Sequence, residues 1–288
     1  MRTAILISVM LVGLAGAAPV PTVSTCALGG PIPCVTLVLG DVIVGDGQTE
    51  RYNNGTYVFH GNVTVQSGGL VEMILSDVSF SGAQPLRVEA GGTIVIDGSS
   101  LSGSAGDVTA VIQLDAGANV QVVGSNFTYL TLSLASNDAL VEGNYFQLGA
   151  PAVRLTDFSG TFRENTFQAN LVGLNATGGA PTLEDLTFHG DTLALQLHAV
   201  DCVLRHLALL DVHDGVLLTW SRCTMTNMQL NDQSLPPTRG LDIRDGVGPI
   251  EVAHNSISRF GTGIHYCNAD VNMHDNSFAG NGQDVSSC

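Results

Sequence analysis

The sequence predicts an all-β chain wound as a single-stranded parallel β-helix, a solenoid of about ten coils with a period of about 21 residues. Three observations predict it. Short blocks recur, Asn144-Tyr145-Phe146, Asn165-Thr166-Phe167, Asn255-Ser256-Ile257 and Asn276-Ser277-Phe278, each after alternating apolar and polar residues. Taking the last apolar residue of each block as anchor gives Phe80, Leu101, Phe127, Phe146, Phe167, Phe188, Leu209, Leu230, Ile257 and Phe278, and six of the nine intervals equal 21. The composition agrees, because 34 glycines and 12% charged residues favour strands and turns while 44% hydrophobic residues can fill a core.

The elements follow in chain order. Residues 1–17 carry Arg2, an apolar run from Ala4 to Leu14 and the small residues Ala15-Gly16-Ala17, the pattern of a secretory signal peptide cleaved after Ala17. The run is too short for a membrane anchor, which needs about 20 apolar residues, and no later segment reads as a membrane span. Residues 18–60 read as an N-terminal cap and 61–288 as the solenoid domain. Five residues before the anchors stand Leu75, Ile96, Val122, Val141, Phe162, Leu183, Leu204, Met225, Val252 and Met273, all apolar, so this column faces inward. A second apolar pair, as in Val153/Leu155, Leu195/Leu197 and Val216/Leu218, requires at least two strands per coil. Strands of identical phase bury their apolar side only by stacking coil on coil, in parallel. The asparagines two before the anchor, 144, 165, 255 and 276, then form ladders in a turn, interrupted by Leu186, Leu207 and Met228.

Six cysteines in an exported chain suggest disulfides. Cys202 and Cys223 are 21 residues apart, as are Cys267 and Cys288, so each pair lies one strand spacing apart; Cys26 and Cys34 sit together near the mature N-terminus. Stacked free thiols also satisfy the 202/223 column, and export favours the disulfide.

Charge narrows the function. Ten arginines, no lysine and 26 acids give a net charge of −16, which excludes most nucleic-acid binding and every lysine-based mechanism. Segments 63–69 (Val-Thr-Val-Gln-Ser-Gly-Gly) and 86–96 (Leu-Arg-Val-Glu-Ala-Gly-Gly-Thr-Ile-Val-Ile), with Asn126-Phe127, resemble right-handed parallel β-helix repeats of the pectin-lyase-like superfamily. The resemblance covers about residues 56–288; it implies the right-handed winding and specifies fold rather than activity, since that superfamily spans lyases, hydrolases, epimerases, adhesins and tail spikes. Its polygalacturonase-like members would show Asn-Thr-Asp, Asp-Asp, Gly-His-Gly and Arg-Ile-Lys, none of which occurs here. An epimerase-type Asp-Pro-His-Glu is matched at two of four positions by Asp211-Val212-His213-Asp214.

Polar columns supply the candidates. Arg163, Glu184 and Arg205 precede the anchors by four, and Glu164, Asp185 and His206 by three, so Glu164, Asp185, Arg205 and His206 are the candidate catalytic group, with Arg163, Glu184 and Trp220 as candidate binding residues. A solvated alternating-charge ladder explains the same column and is the favoured reading. His189, Asp191, Asp211, His213 and Asp214 lie in adjacent turns and are the candidate metal ligands; no cofactor is required, and calcium is the ion considered. Two insertions, 102–110 and 231–240, lengthen their coils, and Trp220, just before the second, is either a sugar platform or a partly buried turn residue. Sequons at Asn54, Asn62, Asn126 and Asn175 suit an exported glycoprotein. The expectation is a secreted or cell-surface scaffold contacting a polysaccharide or surface glycan, with a polysaccharide lyase, hydrolase or epimerase as the rival. The oligomeric state is open.

Overall fold

The computed structural model describes residues 5–11, 21–27, 34–83, 85–104, 110–232 and 238–288. The predicted cleavage point after Ala17 and the cores of both insertions lie outside the described residues, and so does the side chain of Cys26. A complete coil contributes three strands, in keeping with the expected minimum of two, one to each of three sheets. The parallel part of sheet I begins with the strand Val35–Val38, sheet II with Val42–Val44 and sheet III with Thr49–Asn53. From there every strand pairs in parallel with its equivalent one coil on, for example Val35 with Thr56, Val42 with Val63 and Thr49 with Leu70. At the N-terminal end Val35–Val38 pairs antiparallel with Pro21–Ala27, and that strand pairs with Ile5–Leu11.

The coils number about twelve, against about ten expected from the blocks. Two begin before the first anchor, because Thr36, Tyr57 and Val78 occupy the anchor column ahead of Leu101. Phe80 is therefore two residues past its column, and Leu75 is not inward: it sits in a turn, 63% exposed, while Met73 takes the inward place opposite Ile96. Both Val78 and Phe80 are apolar and inward, so periodicity alone did not separate them.

The remaining anchors stack as expected. Phe127, Phe146, Phe167 and Phe188 form a continuous ring stack inside sheet I, with centroids 4.9, 5.2 and 4.5 Å apart. Sheet II supplies the second inward pair of columns, from Val63/Val65 to Leu241/Ile243, all fully buried or nearly so. Sheet III supplies the third, in which Cys202 pairs with Cys223 at disulfide distance, with Cα atoms 4.5 Å apart. Cys267 and Cys288 stand likewise, Cα atoms 5.2 Å apart, and join the last two coils.

The asparagine ladder is present and extends into serines. The Ser76 amide donates to Ser99 Oγ (3.1 Å), Ser99 to Ser125 Oγ (3.0 Å), Ser125 to Asn144 Oδ1 (2.9 Å) and Asn144 to Asn165 Oδ1 (2.9 Å). It lapses at Leu186, Leu207 and Met228 and resumes where the Met228 and Asn255 amides donate to Asn255 and Asn276, both at 2.9 Å. These side chains point into the rod. The unusual backbone angle belongs to the residue just before each of them, as the candidate site shows.

Candidate functional site

The turn from sheet III to sheet I is two residues long, and its first residue is left-handed in every such turn among the described residues. Asn54, Leu75, Gly98, Gly124, Gly143, Glu164, Asp185, His206, Asn227, His254 and Asp275 all have φ between 51° and 66°. The conformation disfavours most side chains and tolerates Gly, Asn and Asp best. A left-handed corner turns the chain abruptly, which sends the side chain at that place outward and the next one, Asn or Ser, into the ladder. Glu164, Asp185 and His206 thus stack on a convex edge of the rod rather than on a flat face.

On sheet III beside that edge, the outward column runs Glu142, Arg163, Glu184, Arg205 in adjacent strands. It is divided into two closed pairs: Arg163 to Glu142 at 2.7 Å and Arg205 to Glu184 at 2.9 Å. The hydrogen bond and charge of Glu142 push the Arg163 guanidinium still higher. Arg163 reaches Glu164 only at 4.0 Å, while His206 Nδ1 lies 3.4 Å from Asp185 Oδ1. Glu184, Asp185 and His206 each offer a ligand atom within 4.8 Å of the others. Of the predicted catalytic group, the structure brings Asp185 and His206 together and gives Arg205 to Glu184. The side chains of Glu164, Asp185, Arg205 and His206 are 44–59% exposed, so no wall excludes water from them.

The predicted metal group is not gathered at one point. His189 Nε2 lies 3.4 Å from Asp211 Oδ2, and His213 Nδ1 lies 3.4 Å from Asp214 Oδ2. Asp214 Oδ1 accepts the Arg239 amide at 3.0 Å and so anchors the strand that follows the second insertion. Asp191 points away from the others, into the rod, where it is 1% exposed and accepts the Asn170 amide at 2.6 Å. It occupies an asparagine's place in a second inward ladder, and burial raises its carboxyl to about 6. The Asp211-Val212-His213-Asp214 string runs through a corner between sheets I and II, with Asp211 left-handed and Val212 fully buried.

A depression on the outer face of sheet II is the feature that residue columns did not reveal. It encloses about 560 Å³ and is lined by Leu193, Leu217, Asp214, Arg239, Asp242 and Arg244, among others. Strand Arg239–Arg244 forms its centre: Leu241 and Ile243 face the core, which turns Asp242 and Arg244 outward. Arg239 Nη1 donates to Asp242, and Arg244 donates to both its oxygens, at 3.1 and 2.6 Å. Burial acts to raise the Asp242 carboxyl, but hydrogen bonds from Arg244 and then Arg239 outweigh it and hold the group below its ordinary range. Trp220 is not among the lining residues but stands on the next corner. It follows Thr219, which pairs with Arg244; its amide donates to the Arg244 carbonyl at 3.2 Å, and its ring is 55% exposed on a left-handed corner. The available sequence signal was the second insertion beside an alternating Leu-Asp-Ile-Arg strand.

No protein-family model matches the chain, and no curated protein sequence matches it. Solved structures do share the fold. A single mutant of the periplasmic alginate epimerase AlgG superposes with a TM-score of 0.53 at 10% identity, over 90% of this chain and 79% of that one. A double mutant of the same epimerase gives 0.53 at 10% identity over 89% and 86%. The surface protein and adhesin PfbA of Streptococcus pneumoniae aligns at a TM-score of 0.39 and 9% identity over 83% and 91%. The likeness is one of fold: this chain is a parallel β-helix.

Proposed function

We propose that the protein is an extracytoplasmic β-helix scaffold that binds a glycan in the depression on sheet II. The observation that carries this reading is the combination there of a recessed floor and fixed polar groups, with an exposed tryptophan on the neighbouring corner. Two guanidiniums, Arg239 and Arg244, meet two carboxylates, Asp214 and Asp242, so formal charge cancels. What remains is a set of directional donors and acceptors over Leu193 and Leu217, with Trp220 on the corner whose amide meets the Arg244 carbonyl. A hydroxyl-rich ring with one apolar face matches that chemistry. Two cysteine pairs at disulfide distance support an oxidising compartment, and no helix among the described residues is long and apolar enough to cross a membrane.

The test is binding of the purified protein to immobilised neutral and uronate polysaccharides, with alginate first because the fold neighbour acts on it. Arg244→Ala and Trp220→Ala should each weaken retention about tenfold or more without shifting the unfolding midpoint by more than about one or two degrees. Retention unchanged in both variants sinks the assignment. A carbohydrate-active enzyme is the second reading, favoured by the 3.4 Å approach of His206 to Asp185 with Glu184 beside them. If it holds, Asp185→Ala abolishes turnover of the same polymers at unchanged stability; turnover that survives this change removes that site.

A further inference from the structure

The last two coils carry a polar cluster on the same left-handed edge, beginning two corners beyond His206. His254 and Asp275 are successive corner residues, and His274 ends the last strand of sheet III, Val271–His274. His274 Nδ1 lies 2.9 Å from Asp275 Oδ2, and His254 Nδ1 lies 3.9 Å from the same oxygen. The two imidazoles meet edge to face, ring centroids 5.5 Å apart. On its far side His274 Nε2 meets Glu251 Oε1 at 2.9 Å, and Asn272 Nδ2 reaches the other oxygen of that carboxylate at 3.4 Å.

We propose that His254, His274 and Asp275 form a binding site for one divalent transition-metal ion of the zinc type, with Glu251 orienting His274 from behind. The donor atoms of the three residues all lie within 4.8 Å of one another. Ligands at about 2.0–2.1 Å around a tetrahedral ion are about 3.3 Å apart. The separations of 2.9 and 3.9 Å to Asp275 Oδ2 bracket that value. The contact of Nε2 with Glu251 is the carboxylate–histidine arrangement that directs the other ring nitrogen to a metal. On binding, the ion takes the place of the proton between His274 Nδ1 and Asp275, and that proton leaves to solvent. A water fills the fourth position.

The donor set selects the ion's class. Two imidazoles and a carboxylate suit zinc or copper(II), whereas calcium takes oxygen ligands almost alone. Two other clusters of comparable closeness occur among the described residues, and neither is as free to bind. In one, Glu184 is taken by Arg205; in the other, Cys267 and Cys288 are joined to each other beside His265. The position gives the ion a purpose. Strand Val271–His274 is the open edge of sheet III, and its core-facing Val271 and Met273 are only half-buried. An ion held by the corners of both coils fastens the terminal coil to the one before it.

The experiment is a calorimetric titration of the purified full chain with Zn²⁺, under non-reducing conditions, paired with Co²⁺ absorption spectra. The wild type should bind one Zn²⁺ per chain, raise its unfolding midpoint on binding and give the visible bands of a nitrogen- and oxygen-ligated Co²⁺ ion. His254→Gln and Asp275→Asn should lower affinity about tenfold or more, and Glu251→Gln should weaken binding while keeping the Co²⁺ bands. His198→Gln, at an exposed imidazole in another coil, should leave Zn²⁺ binding unchanged. Circular dichroism of each variant separates lost ligation from lost folding. Absence of stoichiometric Zn²⁺ binding by the wild type overturns the proposal, as does undiminished binding by folded His254→Gln and Asp275→Asn.

Discussion

Asp191 shows how much one residue depends on its place in the repeat. One coil earlier, Asn170 fills the same inward position and donates its Nδ2 to the Phe146 carbonyl at 3.2 Å. Asp191 accepts the Asn170 amide through Oδ1 in the manner of an asparagine, but its Oδ2 is buried without a partner. The acid form supplies the missing hydrogen. Its carboxyl near 6 lies above the ordinary 3.8, so between about pH 4 and 6 the folded chain holds a proton that the unfolded chain has released. Stability from this group is therefore greatest below about pH 4 and falls as pH rises through about 6. Asp191→Asn should stabilise the protein by roughly 1–3 kcal/mol at about pH 7 and far less at about pH 4. Urea unfolding at both pH values measures it; the same gain at each would show that ionisation is not the cause.

Within a single coil the ladders and the ring stack contribute differently from the surface pairs. Asn165 accepts the Asn144 amide and its Nδ2, at 2.9 and 3.0 Å, and donates to the carbonyls of Val141 and Arg163. Asn165→Ala strands those groups in a dry interior and should cost roughly 1–3 kcal/mol. Phe167→Ala opens a cavity between two stacked rings and should cost roughly 3–5 kcal/mol. Arg163→Ala, only two residues from Asn165, removes an exposed pair with Glu142 and should cost less than about 1 kcal/mol. Denaturant midpoints of the three variants, compared at constant slope, give the order directly. A cost for Arg163→Ala equal to that of Asn165→Ala would contradict the assignment of stability to the interior ladder.

At the scale of the whole rod, each coil touches only its neighbours, so stability is close to a sum of coils and interfaces. Removing residues 166–186 deletes one 21-residue turn and joins Asn165 to Thr187, which repeats the Asn165-Thr166 junction. The shortened chain should keep its β circular dichroism and cooperative unfolding and lose about 4.8 Å of length in scattering. Removing about eleven residues instead leaves one coil too short to reach all three sheets, so the columns on either side of the cut no longer meet in register and the rod should come apart at that junction. The rod's ends are its weak points. Replacing Cys267 and Cys288 by serine should leave the middle coils protected and speed hydrogen exchange over residues 262–288, because Tyr266, Val271, Met273 and Phe278 are only partly covered there. Uniform loss of protection along the chain would mean that the terminal pair supports the whole rod.

The amino-acid sequence by itself determined the architecture, because a period repeated in Phe146, Phe167 and Phe188 and in both 21-residue cysteine pairs can be satisfied only by stacking in register. It determined the asparagine ladder for the same reason: an amide recurring every coil finds its equivalent one strand away. The count of coils and the third strand were less legible, since Val78 and Phe80 are both apolar and inward and differ only in which neighbour they face. What tertiary structure alone decided is which polar residues meet. Glu164, Asp185 and His206 share a column in sequence, yet their left-handed corners point them outward along an open edge, and Arg205 turns to Glu184. Asp191 is one polar residue among several until the fold buries it. Arg239, Asp242 and Arg244 become a site only when the coil before them brings Asp214, Leu217 and Trp220 alongside. A repeat specifies which positions stack, and the contacts between outward side chains depend on corner angles and insertions that the period does not encode.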